Sequence, residues 1–184
     1  MSKKHTVVGQ YMALAAAVQD ASKVIAELSM SVPKAHVVFD IDDTLIFDNE
    51  KETPNVQIKH LLAVSKAHGA QVHLVTARMK AADVVKWTRD QLRRQGIVYD
   101  TLALAPASAR KDLASVARWK HAQRAKHGTV MLSVGDQWGD MILLESEEDI
   151  DKLDKTHTVE RGPWVLVKPN DGVTMFGLKL MATR

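Results

Sequence analysis

The sequence contains no cysteine. That excludes disulfides, thiolate zinc sites and a cysteine nucleophile, and it permits a reducing, cytosol-like compartment without requiring one. Also missing is any apolar run near the roughly 20 residues needed to span a bilayer, so no membrane partner is expected. The basic start, Met1-Ser2-Lys3-Lys4, leads into a fairly apolar stretch, but Gly9-Gln10 interrupts it and Gln19-Asp20 closes it. Such a pattern fits a signal peptide poorly, and a cytoplasmic protein is the expectation. Internal repeats and low-complexity segments are absent. A strong excess of one charge is absent too: the net charge of +3 is too mild to argue for nucleic acid by itself, and does not exclude it. Residues 78–126 are rich in Lys and Arg, and residues 145–154 are mostly acidic; solvated helix faces account for both.

What remains is a chain of 184 residues with 46% hydrophobic and 26% charged residues, enough for one compact domain with a real core. Tyr11, Leu14, Val18, Ala21, Ile25 and Leu28 recur at helical spacing, which predicts an amphipathic helix over about 6–30. The expected organisation is this N-terminal helix, within residues 1–32, packed on a catalytic domain of residues 33–184. Val32-Pro33 ends the helix. Strands are predicted at 36–41, 71–76, 99–104, 129–134 and 164–167, with helices near 56–68, 81–95 and 112–127 between the first four. Asn170-Asp171-Gly172 reads as a turn, and residues 175–180 as an edge strand. Strands alternating with helices give an α/β fold, a parallel sheet covered on both faces. Ligands bind such sheets beyond the carboxyl ends of the strands.

The chemistry-bearing residues fall at those ends. Asp40-Ile41-Asp42-Asp43-Thr44 puts three carboxylates in four positions, and their mutual repulsion is relieved by a cation. Mg2+ with oxygen ligands is the simplest choice. Alternation along a strand sets Asp40 and Asp42 on one side, so one can attack phosphorus while the other handles protons. An ordinary acidic turn remains the alternative. Gly135-Asp136-Gln137-Trp138-Gly139-Asp140 is a second strand running into carboxylates. Thr76-Ala77-Arg78 offers a hydroxyl followed by amides that would open a helix, a natural phosphate cradle. Lys111 and Lys120 are both candidates to neutralise a phosphoryl group.

In this order the four pieces resemble the haloacid dehalogenase superfamily: Asp-x-Asp-x-Thr, a strand-end Thr, a Lys, then Gly-Asp-x-x-x-Asp, covering about Val37 to Asp140. Val38 to Leu45, Val75 to Arg78, Gly135 to Asp140 and Gly177 to Leu180 are similar to its acid-phosphatase branch, which includes plant vegetative storage proteins. The resemblance implies a three-layer Rossmann-like fold. It implies Asp40 as the nucleophile, Asp42 as general acid and base, and Thr76, Ala77 and Lys120 around the phosphoryl oxygens. Mg2+ would be held by Asp40, the Asp42 backbone carbonyl and Asp136, with Thr44 and Asp140 as supports. Lys120, with Arg124 behind it, fits the family's lysine better than Lys111.

Relatives often carry a cap domain between these motifs. Here about thirty residues separate Thr44 from Thr76, and about forty-four separate Thr76 from Lys120, too few for a large cap. The site should be open unless the N-terminal helix or a second subunit in a homo-oligomer covers it, with the segment 48–52 as a flap. The expected activity is Mg2+-dependent hydrolysis of a phosphate ester, on nucleotides or other small esters, through a phosphoaspartate. Phosphoprotein or nucleic-acid ends are the alternative substrates. A non-enzymatic storage or binding protein and a response-regulator receiver are further alternatives; the retained Asp40, Asp42 and Asp136 argue against both. The four tryptophans are expected to pack rather than stack a base. The eight histidines are scattered without zinc-ligand spacing, and none is given a catalytic role.

Overall fold

The computed structural model describes residues 5–32, 34–48, 52–128, 130–141, 143–146, 148–149, 152–153, 158–159, 164–167 and 173–182. The expected turn at 170–172 and residues 49–51 of the expected flap lie outside them.

The strands are β1 (His5–Ala13), β2 (His36–Phe39), β3 (Ile46–Asp48), β4 (Thr53–Pro54), β5 (Gln71–Met79), β6 (Thr101–Ala105), β7 (Val130–Gly135), β8 (Thr158–Val159), β9 (Trp164–Val167) and β10 (Val173–Ala182). The helices are α1 (Leu14–Ser31), α2 (Val56–Ala67), α3 (Ala82–Arg94) and α4 (Leu113–Ala125). One sheet runs in the order β6-β5-β2-β7-β9-β10-β1-β8. The pairs from β6 across to β9 are parallel, and β10, β1 and β8 extend the sheet antiparallel. This is the expected three-layer α/β architecture, with an antiparallel half added. Among the described residues the short β3–β4 hairpin and α2 separate the first two motifs, with no cap domain between them.

Two expectations are corrected. Residues 5–13 are not the start of a helix; they form β1, paired along its length with β10. Thr6, Val7, Val8 and Tyr11 all favour a pleated backbone, and a partner strand distant in sequence decides the outcome. Nor is β10 an edge strand, since it lies between β9 and β1.

Two faces of the parallel half have different roles. Val37, Phe39, Val72, Leu74, Leu132 and Val134 form one buried core with Ala21 and Ile25 of α1, Leu61 of α2 and Leu92 of α3. Strand alternation sends His36, Val38 and Asp40 to the other face, where α4 packs. Local chemistry fixes the helix ends. The Asp112 side chain accepts from the Ser115 amide at 2.6 Å to cap α4, and Asn55 accepts from Ile58 at 3.3 Å to cap α2. Gly96, at φ +63°, closes α3 in a conformation open to few other residues.

The basic stretch is not merely a solvated surface. Arg78, Lys120 and Arg124 are all buried, and all three lie in or beside the carboxylate cluster.

Candidate active site

Asp40 sits one residue beyond β2, its amide donating to the Val134 carbonyl at 2.9 Å, and it is only 5% exposed. A tight turn follows. The amides of Leu45 and Ile46 both donate to the Ile41 carbonyl, each at 2.9 Å, and Asp43 adopts φ +55°, a left-handed conformation that Asp tolerates. Thr44 is buried within this turn, and its hydroxyl has no hydrogen-bond partner among the described residues. The expected bracing by Thr44 is therefore one of packing.

From α4 the buried Lys120 reaches across to Asp40 Oδ1, with its Nζ at 3.1 Å, and makes a close ion pair with Asp140 Oδ1. Asp140 ends a 3₁₀ turn (Trp138–Asp140) that Gln137 caps. Its second oxygen, Oδ2, accepts from the Gln137 amide at 3.1 Å. The approach of Asp140 to β7 is so close that a Cβ on Gly135 would overlap its side chain. Asp140 thus anchors Lys120. Arg124, one turn along α4, donates to the Gly139 carbonyl at 2.9 Å.

The pocket's electrostatics are set by dryness and crowding. Burial raises the Asp40 carboxyl well above its ordinary range; Lys120 opposes this, and Asp140, Asp136 and Asp42 add to it. Burial and Asp140 push Asp136 up to about 7. For Lys120 burial opposes the charge, but Asp140 and Asp40 outweigh it and hold the ammonium above its usual value. Burial brings Arg124 down to about 10, against the pull of Asp140.

Asp42 faces another way. Arg78 Nε lies 3.0 and 3.1 Å from its two oxygens, and Arg78 Nη2 lies 2.7 Å from Oδ1. The Thr76 hydroxyl adds a 3.2 Å bond to Oδ2. Arg78 is itself anchored by Gln91 Oε1 at 2.8 Å and Thr88 Oγ1 at 3.2 Å, and it lies 4.5 Å above the Trp87 ring. The expected cradle at Thr76 is corrected here. Strand β5 continues to Met79, so Ala77 lies within a strand and not at a helix N-terminus. The Arg78 amide donates to the Thr76 hydroxyl at 3.2 Å.

Could a cation be held? Ligand oxygens of Asp40, Asp136 and Asp140 lie within 4.8 Å of one another. Asp40 Oδ1 is sealed from solvent with no donor aligned on it, although Lys120 is near. Both oxygens of Asp140 are engaged. Asp40, paired with Lys120 through Oδ1 alone, and Asp136 are therefore the carboxylates best placed to hold a cation, and an all-oxygen pair of this kind suits a hard divalent ion. The Asp42 side chain is turned to Arg78, which leaves its backbone carbonyl for any part in binding. Beside this cluster is a cleft of about 210 Å³ lined by Lys120, Asp136, Trp138, Leu113, Val116 and Leu144 among others.

The likeness to known proteins is one of fold. A chain of the Pnkp1/Rnl/Hen1 RNA repair complex superposes with a TM-score of 0.50 at 20% identity, over 60% of this chain and 38% of that one. A second Pnkp1/Rnl/Hen1 complex structure gives 0.49 at 24% identity, over 59% and 40%. This chain thus matches well under half the length of either. No family model matches the sequence, and no curated protein does either.

Asp40, Lys120, Asp136 and Asp140 are brought together. Thr76 and Asp42 join a second group beside them. Lys111, the other candidate lysine, is exposed at the cap of α4. Sequence reading gave Arg78 no role, because its partners Thr88 and Gln91 lie on another element. It also passed over His36, His73 and His127, whose rings meet in the folded chain.

Proposed function

We propose that this chain is a divalent-cation-dependent phosphomonoester hydrolase of the haloacid dehalogenase type, acting through a phosphoaspartate on Asp40. The observation that carries the reading is a buried carboxylate at a strand's carboxyl end, Asp40, faced by the buried Lys120 ammonium at 3.1 Å and neighboured by Asp136 and Asp140. In this scheme a carboxylate oxygen of Asp40 attacks phosphorus and the bond to the leaving oxygen breaks, with Asp42 giving that oxygen a proton. Water then attacks the phosphoaspartate, Asp42 takes its proton, and phosphate leaves. Lys120 neutralises charge on the phosphoryl oxygens. Bound at Asp40 and Asp136, Mg2+ would supply further charge neutralisation for the same oxygens.

Asp42 must reach the leaving oxygen to act as an acid, and Arg78 holds both of its oxygens. The leaving-group step therefore requires Asp42 to turn from Arg78 toward the cleft. That turn would also free the Thr76 hydroxyl for a phosphoryl oxygen.

For the substrate we favour phosphorylated nucleic-acid ends over nucleotides and small esters. Among the described residues no cap is inserted between Thr44 and Lys120, and exposed Lys80, Arg110 and Lys111 follow β5 and β6 at the carboxyl edge. The fold likeness to a chain from an RNA repair complex brings this substrate class forward. The kinship to the acid-phosphatase branch rests on motif residues alone.

Phosphate release from an aryl phosphate, with Mg2+ or with EDTA, tests the chemistry in wild type and Asp40→Asn. Turnover should require both the metal and Asp40; full activity in a deamidation-free Asp40→Asn preparation would overturn the mechanism. The kcat/KM for an end-phosphorylated oligonucleotide should exceed that for the mononucleotide and fall with salt. Equal values with no salt dependence would return the substrate to the small esters.

A further inference from the structure

Three histidines far apart in sequence converge at the amino-terminal ends of the strands, the end opposite the carboxylates. His36 opens β2, His73 is the third residue of β5, and His127 follows α4. His36 Nδ1 lies 2.9 Å from His73 Nε2. The His127 ring stacks on His73, with centroids 3.5 Å apart and planes 15° apart, and lies 5.8 Å from His36. A ring nitrogen from each falls within 4.8 Å of the others. His73 is buried, while His36 and His127 are half-buried.

We propose that His36, His73 and His127 form a binding site for a borderline transition-metal ion of the zinc class, held by three imidazole nitrogens with a fourth position open to solvent. Imidazole suits such ions and not the hard Mg2+. Tetrahedral coordination with bonds near 2.0–2.1 Å sets ligand nitrogens about 3.3 Å apart. The His36–His73 pair needs only a small separation to meet this. His127 must unstack and turn its nitrogen inward, a movement open to a half-buried ring at a helix end.

The tautomer of His73 suits binding, while His36, whose Nδ1 donates to His73 Nε2 at 2.9 Å, must carry its proton on Nε2 instead when the ion enters. His73 Nδ1 is 2.7 Å from Thr101 Oγ1. With that nitrogen donating its proton to the hydroxyl oxygen, Nε2 carries the lone pair, directed at the cluster; ligating histidines are commonly oriented by such a partner. Burial first, then His127 and His36, bring His73 down to about 4. Burial and His36 also lower His127. Of the neighbouring cations, Lys66 is engaged by Asp100 at 2.8 Å; Lys126 is exposed and adjacent to His127.

Bound there, the ion would clamp β2, β5 and the end of α4. Lys120 lies seven residues back along the same helix, about 10 Å. The site would thus act as a structural tie beneath the Asp40 cluster, contributing binding energy to folding.

The test uses the full chain with Zn2+ or Co2+ as probe, in excess Mg2+ to occupy the carboxylates. Calorimetry and the visible absorption of cobalt are compared for wild type, Asp136→Asn, His127→Gln, His36→Gln and Thr101→Val. One equivalent should bind with a tetrahedral cobalt spectrum in wild type and Asp136→Asn. Binding should vanish in His127→Gln and His36→Gln, and weaken about 10–100-fold in Thr101→Val. Zn2+ should raise the melting temperature of wild type but not of His127→Gln. Binding lost in Asp136→Asn and kept in His127→Gln would place the ion at the carboxylates and overturn the proposal. So would an absence of binding in wild type, leaving the rings as a packed stack. If His127→Gln does not fold, His36→Gln and the wild-type cobalt spectrum still decide.

Discussion

Replacing Arg78 by Met removes the guanidinium while keeping much of the stem. In the native protein this group is 8% exposed, holds both oxygens of Asp42 and bonds to Gln91 and Thr88. Breaking a buried ion pair costs about 3–5 kcal/mol. The Asp42 side chain is 29% exposed, so water recovers part of that, bringing the expected loss to roughly 2–4 kcal/mol. Part of this loss is the Gln91 oxygen, left unpaired in a residue with no exposed surface and whose Nε2 already lacks a partner among the described residues. For a chain of this length that loss lowers the melting temperature by on the order of 5–10 °C. Urea unfolding of Arg78→Met, Asp42→Asn and the double variant gives the coupling between the two residues, expected at about 1–3 kcal/mol. A coupling near zero, or a melting temperature within about 2 °C of wild type, would show that Arg78 does not hold Asp42 in solution. The account of how Asp42 is released to the cleft would then fail.

Lys120→Met leaves Asp40, Asp136 and Asp140 without their shared ammonium; unfolding measurements should show a loss of about 3–5 kcal/mol, and phosphate release should cease. Gly135→Ala forces a Cβ against Asp140 and should cost about 1–3 kcal/mol, with turnover reduced because Lys120 loses its anchor; unchanged kcat would count against the role given to Asp140. Asp136 titrates near 7 in the metal-free fold, above its unfolded value of about 3.9. Its contribution to stability is therefore full below about pH 4 and lost as pH rises through about 7. Mg2+ competes with that proton, so its calorimetric affinity should fall about tenfold per pH unit below 7. Asp112→Ala, read by thermal melting, should lose about 1 kcal/mol by uncapping α4.

The parallel half of the fold was legible because its signals are local. Short β-branched runs bounded by turns mark β2, β5 and β7, and the aspartates that follow them had to lie on the binding edge. The start of α4 at Asp112, where the side chain caps the helix, is just as local a signal. The antiparallel half was not legible, since residues 5–13 become a strand only in the presence of residues 173–182. Arg78 was hidden for a similar reason: its burial depends on α3 folding over the end of β5. The histidine cluster was hidden more deeply, because a metal motif is recognised by close spacing and these three residues come from two strands and a helix end.

Strand β1 pairs with β10 along its length, His5 opposite Ala182 and Ala13 opposite Val173, with one register shift between Val8 and Gly9. During synthesis at about 5–20 residues per second, β1 must wait roughly ten to thirty seconds for that partner. Every aspartate of the carboxylate cluster is made within that interval. The chemical half of the sheet can thus assemble on the ribosome while its first strand is still an open edge, able to pair with another nascent chain. Occupancy by a chaperone at residues 5–13 should end when β10 emerges.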